Sequence, residues 1–175
     1  MLTPYYARLM SAQGDGAAVT AAAITSALPT AAKYTFPASF FQFIGQEIRV
    51  RAAGRLSTTT GTNTLIFNIV FGSIAVFAPA AITFIASQTN QTWVYDSTLT
   101  LRAVGSGTSA NFMGIGNVYA NAAVLTNANA VLPATAPVVG NGFDSTLAQT
   151  CDFQVTWSAT GNSLTLHQYS LDACL

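Results

Sequence analysis

The side chains best suited to acid–base and metal chemistry are few in this sequence: one histidine, two cysteines and six carboxylates. Nucleophilic hydrolysis needs a base within hydrogen-bond reach of the attacking Ser or Cys. His167 has no second imidazole to work with, and its segment's alternation places it on the face opposite Leu164 and Leu166. That is the position of a surface or interface histidine satisfied by a neighbour. Cys151 and Cys174, even joined by His167, fall short of a four-ligand zinc site. Reduced structural thiols and a single late disulfide both remain open for them. Glycoside hydrolysis uses two carboxyl groups about 5–10 Å apart. Asp144 and Asp152 are the pair to consider, but Asp144 has the plainer role of a turn residue. Gly105, Gly107, Gly114 and Gly116 are followed by no Lys-Ser or Lys-Thr pair, so no phosphate-binding loop is formed. The expectation is a protein that is not an enzyme and uses no cofactor and no metal.

Binding chemistry is better represented. Arg49, Arg51 and Arg55 lie on one face of a strand and span roughly 20 Å. Three uses are open to them: nucleic-acid contact, ion pairing with Glu47 and neighbouring strands, and contact with an acidic patch on a partner protein. The fork of Arg suits carboxylates. A formal net charge of zero argues against nucleic acid. The run Phe40, Phe41 and Phe43 supplies candidate anchors for an interface, with a strand leading into the core as the alternative.

Only 7% of residues are charged, against about a quarter in an average domain. Near-zero net charge promotes association, so the composition points to an assembly component whose surface is covered by other protein. Neutral strand faces of Thr, Ser, Asn and Gln suit a large subunit interface that strips no water from ions, or a carbohydrate. Trp93 and Trp157 fall on core faces. Tyr5, Tyr6, Tyr34, Tyr119 and Tyr169 are expected to be freer. The most apolar stretch, Thr64 to Ala86, is broken by Asn68, Gly72, Ser73 and Pro79, so no membrane span is expected. Gly14, Asp15 and Gly16 interrupt any apolar run after Arg8, unlike a signal peptide. Synthesis in a reducing cytoplasm is the resulting expectation.

Positioning these groups falls to strands. Residues 1–32 are Ala-rich and weakly patterned, and read as an extended N-terminal arm. It serves either as an edge strand of its own domain or as a reach onto a neighbouring subunit. Residues 33–175 read as one β-sandwich domain. Period-two alternation runs through Glu47 to Thr58, Thr64 to Phe71, Gln91 to Ala103, Asn111 to Tyr119, Cys151 to Ser158 and Ser163 to Asp172. Turns fall at Thr58 to Asn63, Gly72–Ser73, Gly105 to Gly107 and Gly161–Asn162. Gly114 and Gly116 inside a strand suggest a bulge or a close approach of other backbone. Asn121 to Gly142 reads as a short strand plus a long loop. The sum is an all-β antiparallel sandwich of jelly-roll type. In that fold Asp152 is expected to pair with Arg102 on an adjacent strand.

The stretch Phe40 to Phe77 has a distinctive texture. A Phe-rich lead and Gly45 precede Ile48-Arg49-Val50-Arg51-Ala52-Ala53-Gly54-Arg55-Leu56. A Thr/Gly turn and a Leu/Phe/Ile strand follow, with Trp93 and Leu99-Thr100-Leu101-Arg102 later. Over roughly residues 40–172 this resembles small jelly-roll virion structural proteins of tailed bacteriophages, especially those infecting actinobacteria. The resemblance implies a capsid decoration protein acting as a homo-oligomer, a trimer being one arrangement. Its partners would be the major capsid protein or other virion proteins, with no nucleic acid and no membrane. It would be made in the bacterial host cytoplasm and reside in the virion. The alternative it implies is a minor tail or tail-fibre protein that binds host cell-surface glycan. It transfers no functional residue.

Overall fold

The computed structural model describes residues 5–121 and 129–174. Among them the chain forms β1 (Tyr6–Ser11), β2 (Thr25–Ser26), β3 (Tyr34–Phe36), β4 (Glu47–Ser57), β5 (Asn63–Phe71) and β6 (Ile74–Phe77). Then follow β7 (Ile82–Phe84), β8 (Gln91–Ala103), β9 (Asn111–Ala120), β10 (Asn129–Leu132), β11 (Gln149–Trp157) and β12 (Ser163–Cys174). A single turn of 3-10 helix spans Thr30–Ala32. The strand β10 lies in the stretch read from sequence as a short strand and loop. Residues 122–128 of that stretch lie outside the described residues.

Two antiparallel sheets face each other. The first has the order β1-β12-β4-β8-β9-β10, and the second β2-β11-β5-β6. β3 continues the β2 edge along β11, and β7 shares β5 with β6. Taking β2 with β3 and β6 with β7, the order is first–eighth–third–sixth in one sheet and second–seventh–fourth–fifth in the other. That is the double Greek key of a jelly roll. β9 and β10 extend the first sheet beyond it.

The interior is apolar and strongly aromatic. Trp93, Tyr95, Phe67 and Phe153 form one cluster, with Trp93 and Phe153 stacked at 6.4 Å between centroids. Phe36, Phe41, Phe71, Phe112 and Phe143 form a second, in which Phe112 and Phe143 stack at 5.2 Å. Burying each ring contributes about 1.5–3 kcal/mol. Gly114 faces inward beneath this layer, and a Cβ there would overlap the Phe77 ring of the opposite sheet. The close approach expected at this glycine is therefore made by a side chain, and no bulge is needed.

The N-terminal arm is extended and closes one side of the sandwich. β1 pairs with the end of β12, from Tyr6 opposite Cys174 to Ser11 opposite Ser170. Val19 bridges Leu164, and its carbonyl accepts from the Trp157 indole at 3.2 Å. β2 then pairs with Gln154 and Val155 of β11. The arm's backbone is thus engaged within its own chain. Of the two readings of this segment, the edge strand is the one the structure describes.

Two expectations are corrected. Asp152 does not pair with Arg102: β11 lies in the second sheet and β8 in the first. In a jelly roll the sixth and seventh strands belong to different sheets, so the expected adjacency was the wrong consequence of the right fold. Tyr169 is not free either, being buried at 4% exposure. The register of β12 against β4 shifts between Leu166 and Gln168. That extra residue inverts the alternation, so Tyr169, Leu171 and Ala173 point inward after Leu164 and Leu166.

Candidate interaction surface

The outer face of the first sheet gathers most of the chain's charge. Cross-strand register sets Arg8 opposite Asp172 and Asp172 opposite Arg49. One row on, Ser170 lies opposite Arg51 and Arg51 opposite Asp96. The outward parity of Glu47, Arg49, Arg51 and Arg55 follows from the inward placement of Ile48, Val50, Ala52 and Leu56, all buried.

Arg49 holds Asp96 bidentately, Nε donating to Oδ1 at 2.8 Å and Nη2 to Oδ2 at 2.5 Å. Arg51 adds an Nε bond to Oδ2 at 3.1 Å. Partial burial pushes the Asp96 carboxyl up, but the Arg49 and Arg51 guanidiniums outweigh it and hold it below the usual carboxylate range. Arg8 pairs with Asp172. Glu47 accepts from the Tyr6 hydroxyl at 2.7 Å and the Thr100 hydroxyl at 3.0 Å. The Glu47 bond, followed by burial, pushes the Tyr6 phenol up to about 12. The arginines therefore pair chiefly with a neighbouring strand rather than with Glu47. Arg55 and Arg102 enter no ion pair among the described residues.

Small side chains at Ser11, Ala53 and Ser170 leave a depression of about 580 Å³ here, rimmed by Arg8, Arg51, Asp96 and Gln168. Beside it the outer face turns apolar. Val94 lies opposite Tyr119, Thr98 opposite Ile115, and Asn117 opposite Val131. Ile115 is 52% exposed and Val131 58%. Exposed apolar side chains are common singly, but a contiguous set on one sheet face marks an interaction site.

The aromatic run is divided by the structure. Phe41 is buried in the core and is withdrawn as an interface anchor. Phe40 is half-buried against the same cluster, and Phe43, with Ile44, is exposed. The tight bend after Pro37 turns Phe40 and Phe41 inward, with Ser39 at φ 57° and Phe40 N–H donating to the Pro37 carbonyl.

The remaining ionisable groups act as ties. Lys33, the only lysine, donates to Asp152 at 2.9 Å, and the Ser26 hydroxyl donates to the same carboxylate at 2.6 Å. Sequence alternation alone missed this pairing of the arm to β11. The chain's single lysine, which needs a carboxylate partner, was the available signal. His167 sits at the β12 bulge with Nδ1 2.8 Å from Asp15, a satisfied surface histidine. Asp144 accepts from Thr146 and from the Gly107 N–H, and these bonds lower its carboxyl. Both cysteines are free thiols. Burial, the largest influence, pushes the Cys151 thiol up to about 12. Among the described residues no three His, Cys, Asp or Glu side chains gather as a metal site, and no helix is long and apolar enough to cross a membrane.

No protein-family model, no curated protein and no solved structure matches this chain.

Proposed function

We propose that this chain is a bacteriophage virion structural protein that decorates and stabilises the capsid as a homo-oligomer. One observation carries the reading. The outer face of the first sheet places an exposed apolar strip (Val94, Ile115, Tyr119, Val131) directly beside a charge row that is already internally paired. Such a face buries area against a sister subunit without stripping unpaired ions of water. Stable interfaces bury about 1,200–2,000 Å² in total, and one sheet face is of that order. The low charge of the chain and the rigid aromatic sandwich support the same role, which is geometric and needs no chemistry. The exposed Phe43 and Ile44, at the opposite end of β4 from Arg55, offer a second contact toward the capsid.

Two measurements test it. Sedimentation of the purified chain should show a discrete oligomer, and Ile115→Lys with Tyr119→Lys should convert it to a folded monomer. Quantitative mass spectrometry of the phage particles that carry it should give a high copy number. A monomeric wild type, or absence from the particle, overturns the proposal. A handful of copies moves the protein to the tail.

A further inference from the structure

Asn141 is the only asparagine of this chain that is followed by a glycine. The backbone nitrogen after an asparagine can attack the side-chain carbonyl carbon, and a glycine, having no Cβ, hinders that approach least. Packing explains why a glycine stands there. Residues 139–143 form a strap between the sheets, with Val139 bridging Met113 of β9 and Phe143 bridging Ala110. A Cβ at Gly142 would stand 2.0 Å from the Thr108 carbonyl oxygen, and one at Gly140 1.9 Å from the Val76 carbonyl oxygen of β6. The close approach therefore requires glycine at 142, and the reactive pair comes with it.

The strap also leaves this pair open to react. Gly140 N–H donates to the Phe112 carbonyl and Phe143 N–H to the Ala110 carbonyl, both at 2.8 Å. Between them, the N–H groups of Asn141 and Gly142 bond to no described residue. The Asn141 side chain is exposed, and its single bond runs from Nδ2 to the Ala75 carbonyl at 3.1 Å. Asn162, followed by the small Ser163, is the contrast. It is 0% exposed, its Oδ1 accepts from the Thr59 N–H, and its Nδ2 donates to the Ala159 carbonyl. We propose that Asn141 is a site of spontaneous deamidation that loosens the strap. The Gly142 nitrogen bonds to Asn141 Cγ and gives up its proton, and ammonia leaves, closing a cyclic imide. Water opens the ring at either carbonyl, yielding aspartate or its backbone-shifted isomer, isoaspartate. The balance is amide plus water to carboxylate plus ammonium, with no oxidant or reductant. Either product sets an acceptor where a donor met the Ala75 carbonyl, so that bond is lost. The isomer also adds a methylene to the main chain between the two anchored ends. The site stands independently of the proposed assembly face.

The test is to hold the folded full chain in warm, mildly alkaline buffer and to map its peptides by mass spectrometry over time. The peptide holding Asn141 should convert from amide to acid, with isoaspartate detected in it by enzymatic methylation. Asn162 should stay intact until the chain is unfolded in urea. Asn141→Asp mimics one product. In it the Gly140 and Phe143 amide hydrogens should exchange roughly fivefold faster or more, the scale of one lost hydrogen bond. Absence of conversion at Asn141 in the folded chain, conversion only in urea, or equal conversion at Asn162 each overturns the proposal. Unchanged exchange in Asn141→Asp overturns the loosening of the strap. Mapping of the natural chain needs no variant, so it decides the matter should Asn141→Asp fail to fold. Sedimentation of the Ile115 and Tyr119 variant reads the assembly face, so the two proposals fail separately.

Discussion

Asp96 is the carboxylate on which the arginine row closes, and its behaviour is specific enough to check. Its folded pKa lies below the unfolded value, so its contribution to stability is complete above about pH 4 and is lost as pH falls through the folded value. Asp96→Asn should therefore destabilise the chain near neutrality, by about 0.5–1 kcal/mol given a partly exposed pair. The difference should close below about pH 4. Urea unfolding of both proteins across pH measures it, and a gap that persists in acid would assign the effect to packing. The thiols give a second check at this scale. Cys151 is buried with its pKa pushed to about 12, whereas Cys174 is half-exposed and sits near the chain end. An aromatic disulfide reagent should label only Cys174 in the native protein and both after unfolding. Such residue-level outcomes were only partly legible in the sequence. The outward parity of Arg49, Arg51 and Arg55 followed from alternation. Their partner Asp96 did not, because register between strands distant in sequence is set by the whole sheet.

At the scale of elements, periodicity located the long strands because half-buried strands must alternate. It failed where alternation itself is interrupted. The bulge in β12 at Leu166–Gln168 inverts parity, so a constant period misplaces Tyr169 although it places Leu164 and Leu166 correctly. β2, β3 and β7 are too short to show a period at all. Gly114 shows the opposite case, in which one residue type announces a packing constraint. Its missing Cβ makes room for Phe77 from the facing sheet. Gly114→Ala should cost about 1–3 kcal/mol by overpacking, and Phe77→Leu should relieve part of that loss. A double-mutant cycle by denaturant unfolding reads the coupling, and simple additivity would mean that the two sheets do not meet there.

For the molecule as a whole, zero net charge conceals a division. The arginine-rich outer face of the first sheet carries Arg55 and Arg102, which enter no ion pair among the described residues, while Asp15 and Asp144 sit on loops elsewhere. A groove on the outer face of the second sheet is lined only by neutral side chains. If assembly rests on the apolar strip, the oligomer expected in sedimentation should survive an increase to about 1 M salt, where exposed charge pairs are screened within about 3 Å. Dissociation by salt would shift the role to the arginine row instead.

The amino-acid sequence alone determined that this protein is an all-β sandwich, that Trp93 and Trp157 face its core, and how poor it is in catalytic groups. Alternation and composition are local properties, and they survive without knowledge of what lies opposite. Tertiary structure alone decided that Asp152 meets Lys33 rather than Arg102, and that Phe41 is core while Phe43 is surface. Each of these depends on which strand lies beside which, or on what the arm covers. Those placements minimise the free energy of the packed whole, and no single segment encodes them.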